Sequence, residues 1–159
     1  MELKNLVPPL ELCKLIPAGE FVDSAFVWAL RKAEPPYVGR AIGVNIGSVI
    51  DGDYCLCTRG YAVKVRWVHG KDNIPCPAVP APTTDEILDK CKDISSVLNP
   101  TLWWQGIWKV DCAIDKSGKL SDEFFEDADL ENLELAYAED ERQSTAALKL
   151  WLKLKGIEA

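Results

Sequence analysis

Apolar positions near the end of the chain recur at steps of three and four. Ala147, Leu150, Trp151 and Leu154, with Leu148 and Leu152 alongside, give one broad hydrophobic stripe if Ser144 to Gly156 is a helix. Lys149 and Lys153 fall on another face, one turn apart. Glu139, Asp140 and Glu141 precede the helix and Lys153 and Lys155 lie near its end, both of which suit the helix dipole. Ser144 is placed as the N-cap and Gly156 as the C-terminal stop. Two further helices follow from end signals. Pro8 and Pro9 open a short one through Ile16 that turns Leu10 and Cys13 inward. Thr83 with Glu86 forms a capping box for another, through Cys91 or Lys92, with Ile87, Leu88 and Cys91 on its buried side.

The remaining pattern has a period of two. Phe21 to Leu30 reads as a strand with Phe26, Trp28 and Leu30 on one side and Ala25, Val27 and Ala29 on the other; apolar residues on both faces suggest a central strand. Glu34-Pro35-Pro36 ends it. Gly39 to Asp53 is punctuated by glycine and fits short strands, a hairpin or a loop. Tyr54 to Thr58 and Tyr61 to Val68 read as paired strands around Arg59-Gly60, with Tyr61, Val63, Val65 and Trp67 sharing a face. Gly70 to Pro82, rich in proline, reads as an extended linker across the surface and not as a domain boundary. Asn99-Pro100 predicts a turn. Leu102 to Ile114 predicts one strand, with Trp104, Trp108, Val110, Cys112 and Ile114 on one side and Gly106 marking a bulge. Asp115 to Gly118 predicts a turn. Leu130, Leu133 and Tyr137 suit a helix whereas Leu133, Leu135 and Tyr137 suit a strand; intrinsic propensity favours the helix. The whole predicts a single α+β domain over residues 1–159, its sheet mostly antiparallel and packed by an N-terminal, a middle and a C-terminal helix.

Composition changes this picture little. The 159 residues are 48% hydrophobic and 27% charged, normal for a globular chain able to bury a core. No apolar run is long enough to span a bilayer, and the first residues, with Glu2, Glu11 and two prolines, do not resemble a signal peptide. The expectation is a cytoplasmic protein away from membranes, whose six cysteines are free thiols. Charge does change the picture. The net charge is −7, yet Ser121 to Glu141 holds ten acids and no base, and the rest of the chain has 18 bases against 15 acids. The acidity belongs to one segment.

Candidate chemistry is sparse. Cys55, Cys57, His69 and Cys76 could supply thiolate and imidazole ligands to zinc, but structural zinc sites prefer two tight pairs and here there is one. His69 is the only histidine, and no nucleophile motif stands beside it in sequence, so no catalytic residue is expected. Gly39, Gly43, Gly47 and Gly52 match neither the dinucleotide nor the P-loop pattern, so no cofactor is expected. Direct nucleic-acid binding is disfavoured, because no basic stripe with interleaved aromatics exists. A strand places Trp103 and Trp104 on opposite faces, so one of them is a candidate contact for another protein. The acidic segment is either a solvated surface or a docking face for a basic partner, in the extreme a nucleic-acid mimic that inhibits a host defence protein. The partner-binding residues expected on these grounds are Trp103, Asp122, Glu123, Glu126, Asp127 and Asp129.

Three stretches carry a resemblance. Asn5-Leu-Val-Pro-Pro-Leu-Glu-Leu-Cys13, Pro80-Ala-Pro-Thr-Thr-Asp-Glu-Ile-Leu88 and Thr145-Ala-Ala-Leu-Lys-Leu-Trp-Leu-Lys-Leu-Lys-Gly-Ile157 resemble small proteins encoded by phages and prophages of gut bacteria. The resemblance covers the two ends and the middle helix, and its C-terminal run is the most specific. It implies origin in a mobile genetic element and an intracellular protein, and it implies no activity. The residues together lead to a non-enzymatic accessory protein that acts by binding another protein.

Overall fold

The computed structural model describes residues 2–33, 35–38, 49–62, 66–94, 96–115 and 133–159. The fold is α+β with antiparallel sheets throughout the described strands. By internal contact the chain divides into two compact units, Met1–Thr83 and Thr84–Ala159. Among the described residues no helix is long and apolar enough to cross a membrane.

Unit 1 begins with the short helix α1 (Leu10–Cys13), entered from Pro9; single turns carry the chain on to Ile16, where the helix had been expected to end. Strand β1 is Phe26–Leu30. It starts later than the apolar run suggests, because Phe21 takes a positive φ of 54° and Ser24 closes a turn on the Phe21 carbonyl. β1 does prove central: the four-stranded sheet runs β2-β3-β1-β6, with β2 at Ile50–Asp51, β3 at Tyr54–Thr58 and β6 at Ala78–Ala81. Of the glycine-punctuated stretch, only residues 49–53 lie inside the described residues.

Two expectations fail in this unit. The strand Tyr54–Thr58 does not pair with the segment just after it. It pairs with β1, in the register Val27↔Cys57 and Ala29↔Cys55. Arg59–Ala62 (α2) is a helical turn, and β4 (Arg66–His69) pairs instead with β5 (Asp72–Pro75). The supposed linker therefore supplies two strands, β5 and β6, and Pro80 is tolerated because β6 is an edge. β3 buries Cys55 and Leu56 in its pairing with β1, whereas β4 and β5 form a tight hairpin around Gly70-Lys71 in which only Trp67 is buried. Val27, Ala29, Cys55, Cys76 and Trp67 share one core. Arg59 fixes the corner: its guanidinium donates to the Ser24 carbonyl at 2.7 Å, to Ser24 Oγ at 2.8 Å and to the Phe21 carbonyl at 3.2 Å.

Unit 2 opens with α3 (Thr84–Lys92), which buries Ile87 and Cys91 as its pattern predicts. A three-stranded sheet in the order β7-β8-β9 follows: β7 at Val97–Trp104, β8 at Trp108–Asp115 and β9 at Leu133–Asp140. The expected single strand over Leu102 to Ile114 is in fact two strands of a hairpin. Gly106, with φ 71°, occupies the turn, and Trp104 pairs with Trp108 across it. Directly paired residues of a hairpin point to the same face, so the alternation continues unbroken through the turn and hides it. Asn99-Pro100 is not a turn but lies inside β7, where the register shifts between Leu98 and Thr101 as at a β-bulge.

The helix favoured around residues 130–137 is also corrected. Leu133–Asp140 is a strand paired along its whole length with β8. Propensity separates the two options by a few tenths of a kcal/mol per residue, and a full ladder outweighs it.

The final helix, α4, runs Gln143–Leu154. Ala147, Leu150 and Trp151 are buried as expected. Its N-cap position is Arg142, and Ser144 lies inside the helix, fully buried. The stop is as read: Gly156 has φ 74°, its N–H donates to the Lys153 carbonyl, and the Ile157 N–H reaches back to Leu152 at 2.8 Å. α4 packs on β8 and β9, and α3 packs on β7 and on α4.

Candidate functional site

The side chains of β9 sort by size in an unusual way. On the side toward α4, β9 presents Ala136, which is buried, and Ala138, half-buried. Asp140 falls on the same side and accepts a bond from Lys149 of α4 at 2.8 Å. Small residues let the helix approach closely. The large apolar residues of the strand point the other way: Leu135 is 79% exposed and Tyr137 51%. Full burial of one such side chain contributes about 1.5–3 kcal/mol, so most of that stabilisation is forgone here twice.

Strand register sets what surrounds them. Trp103, Lys109 and Glu139 form one cross-strand row, and Asp111 pairs with Tyr137 in the next. The Trp103 indole N–H donates to Asp111 Oδ2 at 2.9 Å. Lys109 Nζ lies 5.0 Å from the Trp103 ring centre and 4.6 Å from that of Tyr137, so one ammonium sits between two aromatic faces. Glu139 is 3.9 Å from the same nitrogen. Lys153, at the end of α4, reaches the Tyr137 ring at 5.5 Å. Each such contact contributes about 0.5–1 kcal/mol at an exposed site, and together they join Trp103 and Tyr137 through one ammonium. The result is an aromatic row bridged by Lys109, with Leu135 beside it.

Trp103, expected as a partner contact, is half-buried in this row. Trp104 is more exposed, at 57%, and lies on the other face with its ring 5.2 Å from Trp108. Asp122, Glu123, Glu126, Asp127 and Asp129 lie outside the described residues. Lys109, Leu135 and Tyr137 were not anticipated. The alternation of alanine with Leu135 and Tyr137 was the available signal, and the helical reading of the segment concealed it.

The thiols form a contrasting site. All six cysteines are free, and only Cys57 is less than buried. Cys55, Cys57 and Cys76 neighbour one another in the unit 1 core. Burial pushes the Cys57 thiol up to about 12, with Cys55 and Cys76 adding to the effect; burial likewise raises Cys55 and Cys76 themselves. Such thiols stay protonated at neutral pH and are poor nucleophiles. His69 is exposed on β4 with its ring 5.5 Å from that of Tyr37. Among the described residues no group of three or more His, Cys, Asp or Glu side chains is arranged to hold a metal ion. A surface hollow of about 420 Å³ in unit 1 is walled by Lys14, Val79 and Arg59, whose guanidinium is already committed to Phe21 and Ser24.

Searches of protein-family models, curated proteins and solved structures found no match to this chain.

Proposed function

We propose that this chain is a non-enzymatic accessory protein of phage or prophage origin that acts by binding another protein through the outer face of the unit 2 sheet. The observation that carries the reading is the inversion along β9: alanine toward the helix, Leu135 and Tyr137 toward solvent. A strand selected only to stabilise its own unit would place the large side chains inward. Rigid, partly wet aromatic residues are the usual anchors of protein interfaces, because they bury much area at little cost in conformational entropy. Origin in a mobile element rests on the resemblance of the two ends and the middle helix. The protonated state of the thiols supports binding over nucleophilic chemistry.

The reading is tested by placing a photo-crosslinking residue at position 135 and, as a control, at exposed Val22 in unit 1. Position 135 should give a discrete adduct with one protein of the producing cell, lost when Trp103→Ala is added, and position 22 should not. Identical adducts from both positions, or none from position 135, would overturn it.

A further inference from the structure

We propose that Cys55 and Cys57 of unit 1 form a two-coordinate site for a soft monovalent cation of the cuprous class. This goes beyond the protein-binding reading and does not depend on it. Residues two apart on a strand share a face, so β3 sets both thiols on one side and Leu56 on the other. The thiols are close enough that each shifts the other. Their partners on β1 are slender, Ala29 opposite Cys55 and Val27 opposite Cys57. Cys55 is buried, whereas Cys57 is half-buried and leaves a way in. The ligand set then selects the metal. Thiolate sulfur favours Cu(I) over harder divalent ions. Structural zinc takes four ligands. The third thiol of this core, Cys76, donates instead to the Leu30 carbonyl at 3.2 Å. Among the described residues no third His, Cys, Asp or Glu joins the pair as a ligand. Two sulfurs suffice for a cuprous ion, which accepts linear coordination.

Charge fixes the valence. Binding breaks two S–H bonds, forms two S–Cu bonds and releases two protons to solvent, with no change of oxidation state. Two thiolates and one monovalent cation leave a single negative charge, which a core holds only beside a countercharge. Arg31 supplies it. This residue follows β1, two positions beyond Ala29, and its main-chain N–H donates to the Asp53 carbonyl at 2.7 Å. Its charge is felt at Cys55. Its Nε is buried without a hydrogen-bond partner, as is the indole N–H of Trp67 in the core that holds Cys55. Unmet buried donors are costly, and a thiolate sulfur accepts where a thiol does so only weakly. A divalent ion on the same two sulfurs would make a neutral unit and leave the guanidinium unmet.

The test titrates the reduced full chain with Cu(I) under nitrogen against a chromophoric cuprous chelator, with Zn(II) in a parallel arm. One equivalent of copper should leave the chelator, X-ray absorption should show two sulfur ligands and no others, and zinc should not compete. Cys55→Ser and Cys57→Ser should each abolish the transfer, and Cys76→Ser should leave it unchanged. Arg31→Gln should weaken binding about tenfold and Arg31→Lys much less, as for other groups that support a metal's ligands. Where a serine variant loses its circular dichroism spectrum the parent chain decides, because one equivalent of Cu(I) should block alkylation of Cys57 by N-ethylmaleimide, read by peptide mass. Copper retained by the folded Cys55→Ser, Cys57→Ser double variant would overturn the site. So would equal affinity for zinc, a nitrogen ligand or third sulfur in the absorption spectrum, or alkylation of Cys57 undiminished by copper.

Discussion

The two faces of β9 follow opposite rules. Toward α4 it presents Ala136, 5% exposed, and Ala138, against Cys112 and Val110 of β8. On the outer face stand Trp103, Leu135 and Tyr137, two of them more than half in water or nearly so. The covered face is built for close approach of a helix whose own contribution is bulky: Leu148, Leu150, Trp151 and Leu152 are buried almost completely. Volume has been moved off the strand and onto the helix. The strand is then free to carry its large residues outward, where Leu135 stays mostly in water and Tyr137 gains only the modest contacts of Lys109 and Lys153 at its ring. Exposed apolar area that does not stabilise its own fold is the physical signature of a surface kept for something else.

Four measurements would break or sharpen that contrast. The largest effect is expected on the helix side. Trp151→Ala should cost about 3–5 kcal/mol in denaturant unfolding, since it opens a cavity that alanines on the strand cannot fill. Next comes a matched pair on adjacent residues. Ala136→Leu should cost about 1–3 kcal/mol by overpacking the helix contact. Leu135→Lys, one position away, should stay within about 0.5 kcal/mol of the parent protein. If the two substitutions cost the same, the outer face is covered and the proposed surface does not exist. Gly156→Ala, at φ 74°, forces a side chain into the left-handed region and should cost about 1–2 kcal/mol, read as a lower unfolding midpoint. The smallest effect depends on pH. Burial raises Cys91 from 9.0 to about 12 and Cys112 to about 11, and each also feels a neighbouring group, Cys112 and Asp111 respectively. The folded state thus holds its thiol protons where the unfolded chain has released them. Stability from this source is complete below pH 9 and is lost as pH rises through 11 and 12. Unfolding midpoints taken across that range should fall, and Cys91→Ala should flatten the slope. A slope unchanged by that substitution would place the alkaline loss elsewhere.

Much of the fold was legible in the residues themselves. The apolar stripe of α4, its glycine stop and helix α3 stand where the pattern put them, and the two-faced strand β1 does so from Phe26 onward. What failed shares a cause. The hairpin at Gly106 was invisible because Trp104 and Trp108 keep the same parity through the turn. Pairing of β3 with β1 joins segments more than twenty residues apart, and the β4–β5 hairpin was hidden because its second strand lies in a proline-rich stretch. For the candidate site, Trp103 could be named in advance because adjacent tryptophans in a strand must diverge. Lys109 and Tyr137 could not, since their meeting depends on the register of two strands joined by residues 116–132.

Taken alone, the sequence determined those elements whose signal is local: spacing along one helix, caps, a glycine at a helix end, a single strand apolar on both sides. These depend on contacts a few residues apart, which the backbone geometry of one element dictates. Only the tertiary structure decided strand partners, register and which side of β9 faces the helix. Those choices are made by distant surfaces competing for burial, and a shift of one residue would have exchanged Ala136 for Leu135 at the helix and erased the outer face.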